Sequence, residues 1–156
     1  MEIGIERFRK YSANADSLIS ALKDCVISHT KLAVNSFKSL WLSDSWDETM
    51  SLLIAYIVDE RIYNFGVRWM AEWQTESIKN WESKNMLDST LSENYGSCLQ
   101  FLIQNDLVYE SDWTSHGNPR EYSLCTSLQK FLLNCPKEYI NKLQKAKDSH
   151  TFELPF

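Results

Sequence analysis

The sequence predicts a mainly α protein with one small β-hairpin, and three observations carry that expectation. Apolar residues recur at steps of three and four over long stretches. Ser, Thr or Asp stands in front of several of these stretches, where helix caps belong. Only residues 107–124 combine strand-like composition with a tight cluster of turn residues. The 156 residues are 44% hydrophobic and 24% charged, which suits one globular domain. A domain of that size buries roughly 70% of its unfolded surface, so its core needs no covalent staples.

Residues 3–40 read as a long helix, with no proline and only Gly4 near its start. Phe8, Tyr11, Ala15, Leu18, Leu22, Cys25, His29 and Leu32 form a seam with the spacing of a coiled coil or packed helix pair. That seam either packs on its own domain or offers Phe8, Leu18 and Leu22 to a partner. Ser45-Trp-Asp-Glu48 reads as a capping box, and Met50, Leu53, Ile54, Ile57 and Val58 follow as an apolar stripe. Asn64-Phe-Gly66 marks a break before a helix reaching about Lys84, on which Arg68 and Glu72 read as a surface pair.

Thr90-Leu-Ser-Glu93 reads as a second capping box, opening a helix to Asn105 that buries Leu91, Leu99, Phe101, Leu102 and Ile103. Leu107–Trp113 and Arg120–Leu124 are the expected strands. Thr126-Ser-Leu-Gln129 caps a short helix. Pro136 stands as the first residue of a basic helix with Tyr139, Ile140 and Leu143 inward. The tail, residues 151–156, alternates apolar and other residues and can dock as an extended strand.

The run from Asp88 to Leu124 places a capped helix, a strand, a turn of His116, Gly117, Asn118 and Pro119, and a returning strand in that order. It resembles the last helix and wing of a winged-helix domain. The resemblance covers about residues 46–125 of a single domain, with the N-terminal helix (3–42) and the C-terminal helices and tail (126–156) as additions. It implies a helix that enters the DNA major groove and a wing whose basic residues touch phosphate.

Charge separates that fold from that role. Residues 85–124 hold Arg120 alone against Asp88, Glu93, Asp106, Glu110, Asp112 and Glu121, a balance of −5 that equals the net charge of the whole chain. Phosphate is repelled there. The helix itself offers Ser92, Asn94 and Gln100 but no Lys or Arg. Asn and Gln can read adenine edges, yet backbone contacts supply much of the affinity of DNA binding. A DNA-binding reading would rest on Ser92, Asn94, Gln100 and Arg120, helped by Lys142 and Lys145 of the lysine-rich last helix. Those lysines also suit an ordinary solvated face.

No other chemistry stands out. The sequence lacks GxxxxGK[ST], GxGxxG, GxSxG, HExxH and CxxC patterns. Cys25 and His29, one helical turn apart, supply two of the four ligands a structural zinc site needs. The four cysteines read as reduced small hydrophobes rather than a disulfide frame. No catalytic residue, cofactor or metal is expected. No 18-residue apolar run exists and the N-terminus lacks a secretory apolar stretch, so a cytoplasmic protein without a membrane span is expected.

Six tryptophans remain. Tryptophan fills cores but is also enriched at interface hot spots. Trp73, Trp81 and Trp113, with Tyr109 in the hairpin, are the expected partner-binding aromatics. The sequence thus predicts a non-enzymatic protein–protein interaction module, a small acidic accessory subunit of a larger complex, bound to another protein or to its own copy. Its rivals are a DNA-binding winged-helix transcriptional regulator and a small acidic inhibitor or immunity-type protein.

Overall fold

A helix buried on every side organises the molecule. In the computed structural model, which describes residues 32–152, this is α2 (Glu48–Glu60), whose residues from Met50 to Ile57 are all buried. A helix apolar around its whole circumference belongs inside a core rather than on its rim. It packs against α7 (Lys137–Ser149), α3 (Met70–Lys84), α4 (Thr90–Glu93) and α5 (Tyr95–Gln104). The expected one-sided stripe is therefore a fully enclosed segment. Its cap also differs from expectation: the Asp47 carboxylate accepts the Thr49 N–H at 3.0 Å, while the Ser45 hydroxyl pairs with that of Ser43. Asp47 wins because it stands next to the first helical residue with extended φ and ψ.

Residues 32–41 form α1. Its Phe37 and Trp41 join Trp46, Phe131 and Tyr139 in an aromatic cluster with ring centroids 5.0–6.0 Å apart. The Trp46 indole N–H donates to Ser51 Oγ at 2.8 Å. Of the expected seam, Phe8 through His29 lie outside the described residues, and its last member, Leu32, is exposed.

The sheet has a strand more than the expected hairpin. Asn64–Gly66, read from sequence as a break, is β1, and it pairs antiparallel with β3 (Pro119–Leu124), which pairs in turn with β2 (Val108–Trp113). The order is β1-β3-β2. Three residues are too short for an alternating pattern to register in sequence. Gly66 is required here, because a Cβ would lie 2.5 Å from the Met70 carbonyl oxygen. Arg68 then takes a left-handed φ of 59° and its Nε donates to Pro119 O, so it stands outside α3 and forms no helical pair with Glu72.

Between β1 and β2 the expected single helix is divided at Asn94 into α4 and α5. Thr90 does not cap it. The Thr90 N–H donates to Asp88 Oδ1 at 3.1 Å, and the Ser89 hydroxyl bonds Glu93, so the capping residues sit one and two positions earlier. Tyr95 and Cys98 are buried along with Leu91, Leu99 and Leu102, whereas Phe101 and Ile103 are half-buried. The hairpin turn closes through Thr114 N to Asn118 O at 2.8 Å, with Gly117 at φ 80°.

After β3, α6 (Thr126–Leu133) begins without a side-chain cap, since Thr126 lies inside it. Pro136 is the N-cap of α7 rather than its first residue. Tyr139, Leu143 and Ala146 face the core, while Ile140, expected inward, is exposed. Of the tail, residues 151 and 152 are described, and Thr151 makes an antiparallel bridge to Leu87. None of the described helices is long and apolar enough to cross a membrane.

Candidate interaction surface

Helix α3 sorts its aromatic residues by spacing. Gln74, Ile78, Trp81 and Glu82 recur at helical intervals and are buried, which turns the Trp73 side outward. Trp69 and Trp73 are 64% and 63% exposed, beyond the ordinary for the bulkiest apolar side chain. Trp81 is only 1% exposed and belongs to the core, which removes it from the expected partner-binding set. Its indole N–H donates to Asp59 Oδ2 at 3.0 Å, and Lys147 pairs with the same carboxylate.

The two exposed tryptophans line one open cleft of about 520 Å³, together with Ile62, Tyr63, Met70 and Glu121. Trp73 also borders a second depression on its other side, where Glu60, Glu76 and Lys84 lie. A buried polar network fixes the floor of the first. The Gly66 N–H donates to Gln74 Oε1 at 3.2 Å, Gln74 Nε2 donates to the Tyr56 hydroxyl at 3.1 Å, and that hydroxyl meets Ser77 Oγ at 2.7 Å. The Tyr95 hydroxyl donates to Gly66 O at 2.7 Å. Burial pushes both phenols above their usual pKa range, so they stay neutral. With its polar groups paired, this network is a rigid base for the Trp69–Trp73 platform.

The hairpin presents Tyr109 and Trp113, 47% and 49% exposed. The Trp113 indole N–H donates to Glu110 Oε2 at 3.0 Å. Through the strand register, Tyr109, Ser123 and Asn64 stand side by side on one face of the sheet. Arg120 is bound to Asp112 by two hydrogen bonds, which hold the Asp112 carboxyl below its usual range.

Compared with protein-family models, curated proteins and solved structures, the chain has no significant match. The character of the surface rests on its own residues.

The expected nucleic-acid residues are divided between two places, Ser92 and Gln100 at one groove and Lys142 and Lys145 at another depression. Ser92 is buried, its N–H donating to Glu82 Oε2 and its hydroxyl to Ser89 O. The Asn94 side chain donates to Thr90 O. Gln100 is exposed on α5, in the groove that Ser92 and Gly96 border. Lys142 stands 4.5 Å over the Trp41 ring and donates to Trp41 O. Lys145 is exposed on α7, in the depression it lines with Glu48 and Lys142. Phe8, Leu18 and Leu22 lie outside the described residues, as do Cys25 and His29.

Among the described residues no group of three or more His, Cys, Asp and Glu is placed to hold a metal ion. Among the described residues the thiols are poor nucleophiles: burial, then the charge of Asp47, pushes Cys98 up to about 12, and burial also raises Cys125 and Cys135. Sequence reasoning passed over Trp69 as a site residue. Its signal was available in the i, i+4 relation to Trp73, set against the Gln74-Ile78-Trp81 stripe.

Proposed function

We propose that this chain is a non-enzymatic protein-interaction module, a small accessory subunit that docks on a larger protein through the Trp69–Trp73 platform. One observation carries the reading: two tryptophans more than 60% exposed flank a cleft whose floor is held by a buried hydrogen-bond network. Solvating that much aromatic surface is unfavourable, and rigid tryptophans lose little entropy on binding. The acidic hairpin adds a bias toward a basic partner and speeds encounter with one.

The reading is built on a winged-helix-like frame. Its support is the order helix, short strand, three helices (the second a single turn, α4) and hairpin, with the first strand laid beside the returning one. That frame alone does not assign a role. The DNA-reading role of such folds finds little support here, because Arg120 is committed to Asp112 and Ser92 is turned inward.

Affinity purification from the native host, with wild type beside the Trp69→Ala/Trp73→Ala double variant, tests the proposal. One specific partner retained by the wild type and lost by the folded double variant is the expected result. Equal recovery by both proteins sinks it.

A further inference from the structure

The end of α7 is fastened to the segment before α4 around a single imidazole. The Asp88 N–H donates to His150 O at 2.9 Å, the Phe152 N–H donates to Met86 O at 2.8 Å, and Leu87 bridges Thr151 between them. The His150 side chain, 18% exposed, fills the junction. Its Nδ1 lies 2.9 Å from Asp88 Oδ2 and its Nε2 lies 3.5 Å from Glu48 Oε2 in the first turn of α2. The Thr90 hydroxyl stands 3.4 Å from Nδ1. One residue thus ties the C-terminal segment to two other parts of the chain.

A neutral imidazole carries one N–H and an imidazolium carries two. Only the charged ring can offer a donor and a positive charge to both carboxylates at once. The surrounding charges leave that task to His150. Lys147 on the same helix is held by Asp59 of α2, and Asp148 accepts from Gln144. Asp47 is occupied with the Thr49 N–H, and Lys145 lines the depression that Glu48 borders. The two nitrogens face opposite ways, so the trio is no metal cradle.

We propose that His150 is a proton-operated latch, whose imidazolium holds residues 150–152 against residues 86–88 and α2 and whose deprotonation loosens that attachment. Burial by itself pulls the imidazole down, but the Asp88 hydrogen bond and the charges of Asp88 and Glu48 outweigh it and leave the group raised. A raised folded value means that the attachment is complete below the unfolded value and is lost as pH rises through the folded one. The latch is closed in mild acid and opens on the alkaline side of the ordinary histidine range. Opening uncovers Leu87, now 5% exposed, and frees the backbone edge at residues 86–88 beside the exposed Met86. An unpaired edge of that kind is a ready site for another chain.

Amide hydrogen exchange on the full chain, expressed as protection factors across pH 5 to about 9, tests this alongside an NMR titration of the His150 ring. The Asp88 and Phe152 amides are expected to lose protection in step with the ring titration, while the Leu124 amide on Tyr63 O keeps its own. In His150→Gln those two amides are expected to be poorly protected at every pH, and in Asp88→Asn the ring is expected to titrate lower than in wild type. Four results would each overturn the latch: protection that does not follow the ring, loss of protection at Leu124 in parallel, His150→Gln amides protected as in wild type, or a ring in Asp88→Asn that titrates unchanged.

Discussion

Arg120 and Asp112 face each other across the hairpin through two bonds, Nε to Oδ2 at 2.7 Å and Nη2 to Oδ1 at 3.1 Å. The fork geometry satisfies both carboxylate oxygens and leaves the guanidinium little freedom to turn to another anion. Arg120 is the only cation between residues 85 and 124. A fluorescent random duplex titrated at low salt is therefore expected to show no anisotropy rise up to roughly 10 µM protein, inside the usual range of non-specific DNA affinity. Arg120→Ala is expected to leave that flat trace unchanged. Binding that weakens steeply with added salt would contradict both statements.

The tryptophans of α3 should divide cleanly between binding and stability. Trp81, at 1% exposure, packs against Tyr56 with centroids 5.6 Å apart. Trp81→Ala is expected to cost about 3–5 kcal/mol in urea unfolding, as for other large-to-small core changes. Trp69→Ala and Trp73→Ala remove exposed rings and are expected to change stability by less than about 1 kcal/mol. Their effect belongs in partner affinity, where a hot-spot tryptophan is worth about 2 kcal/mol or more. A large loss of stability in either exposed variant would mean that the ring is structural.

The same helix explains how far the sequence could be read. Its core stripe begins with Gln74 and ends with Glu82, two polar residues that conceal the burial pattern, so Trp81 looked as available as Trp73. The pairing of Gln74 with Gly66 and Tyr56 that permits its burial depends on β1, a strand too short to signal itself. Helix caps failed for a related reason. Ser45 and Asp47, or Asp88, Ser89 and Thr90, all have capping chemistry, and which one is used is decided by the backbone angle at which the chain enters the helix. The hairpin was legible because its strands and turn are contiguous. The platform of Trp69 and Trp73 was legible in spacing, but its exposure required knowing which face α2 and the sheet cover.

Two glycines should respond oppositely to alanine. At Gly66 the new methyl meets Met70 backbone 2.5 Å away, and backbone cannot swing aside. Gly66→Ala is expected to destabilise by roughly 1–3 kcal/mol, the usual range for overpacking, and to disturb the Tyr95 bond to the Gly66 carbonyl. At Gly96, inside α5, nothing lies within 4 Å of the added carbon. Gly96→Ala is expected to stabilise by roughly 0.5–1 kcal/mol through helix propensity. Chemical denaturation of the two variants beside wild type measures both signs.

Thiol reactivity should separate the half-buried cysteine from the two buried ones. Cys98 is 4% exposed and Cys125 is 2% exposed, while Cys135 is half-buried in the turn before α7. Among these three, alkylation of the folded protein near neutral pH is expected at Cys135 first, with Cys98 slowest because its thiol is pushed up to about 12. Peptide mapping after timed labelling gives the order. Early labelling of Cys98 would require α5 to open from α2 under native conditions.

Asp88 and His150 stabilise the fold over a bounded pH window. Burial works to raise Asp88, but the Thr90 and His150 hydrogen bonds outweigh it and leave the carboxyl lowered. A lowered carboxylate contributes stability above its unfolded value and loses it as pH falls through the folded value. The raised imidazole contributes fully below its own unfolded value and loses it as pH rises. Both contributions are complete only between the two ordinary unfolded values, roughly pH 4 to 6.5. The difference in Tm between wild type and His150→Gln is therefore expected to be largest inside that window and to shrink on both sides of it. Asp88→Asn should show the same bell, and the double variant should cost less than the sum of the single changes, because both remove the His150–Asp88 contact. A Tm difference that stays constant from acid to alkaline pH would show that His150 stabilises by packing, with no share from its charge.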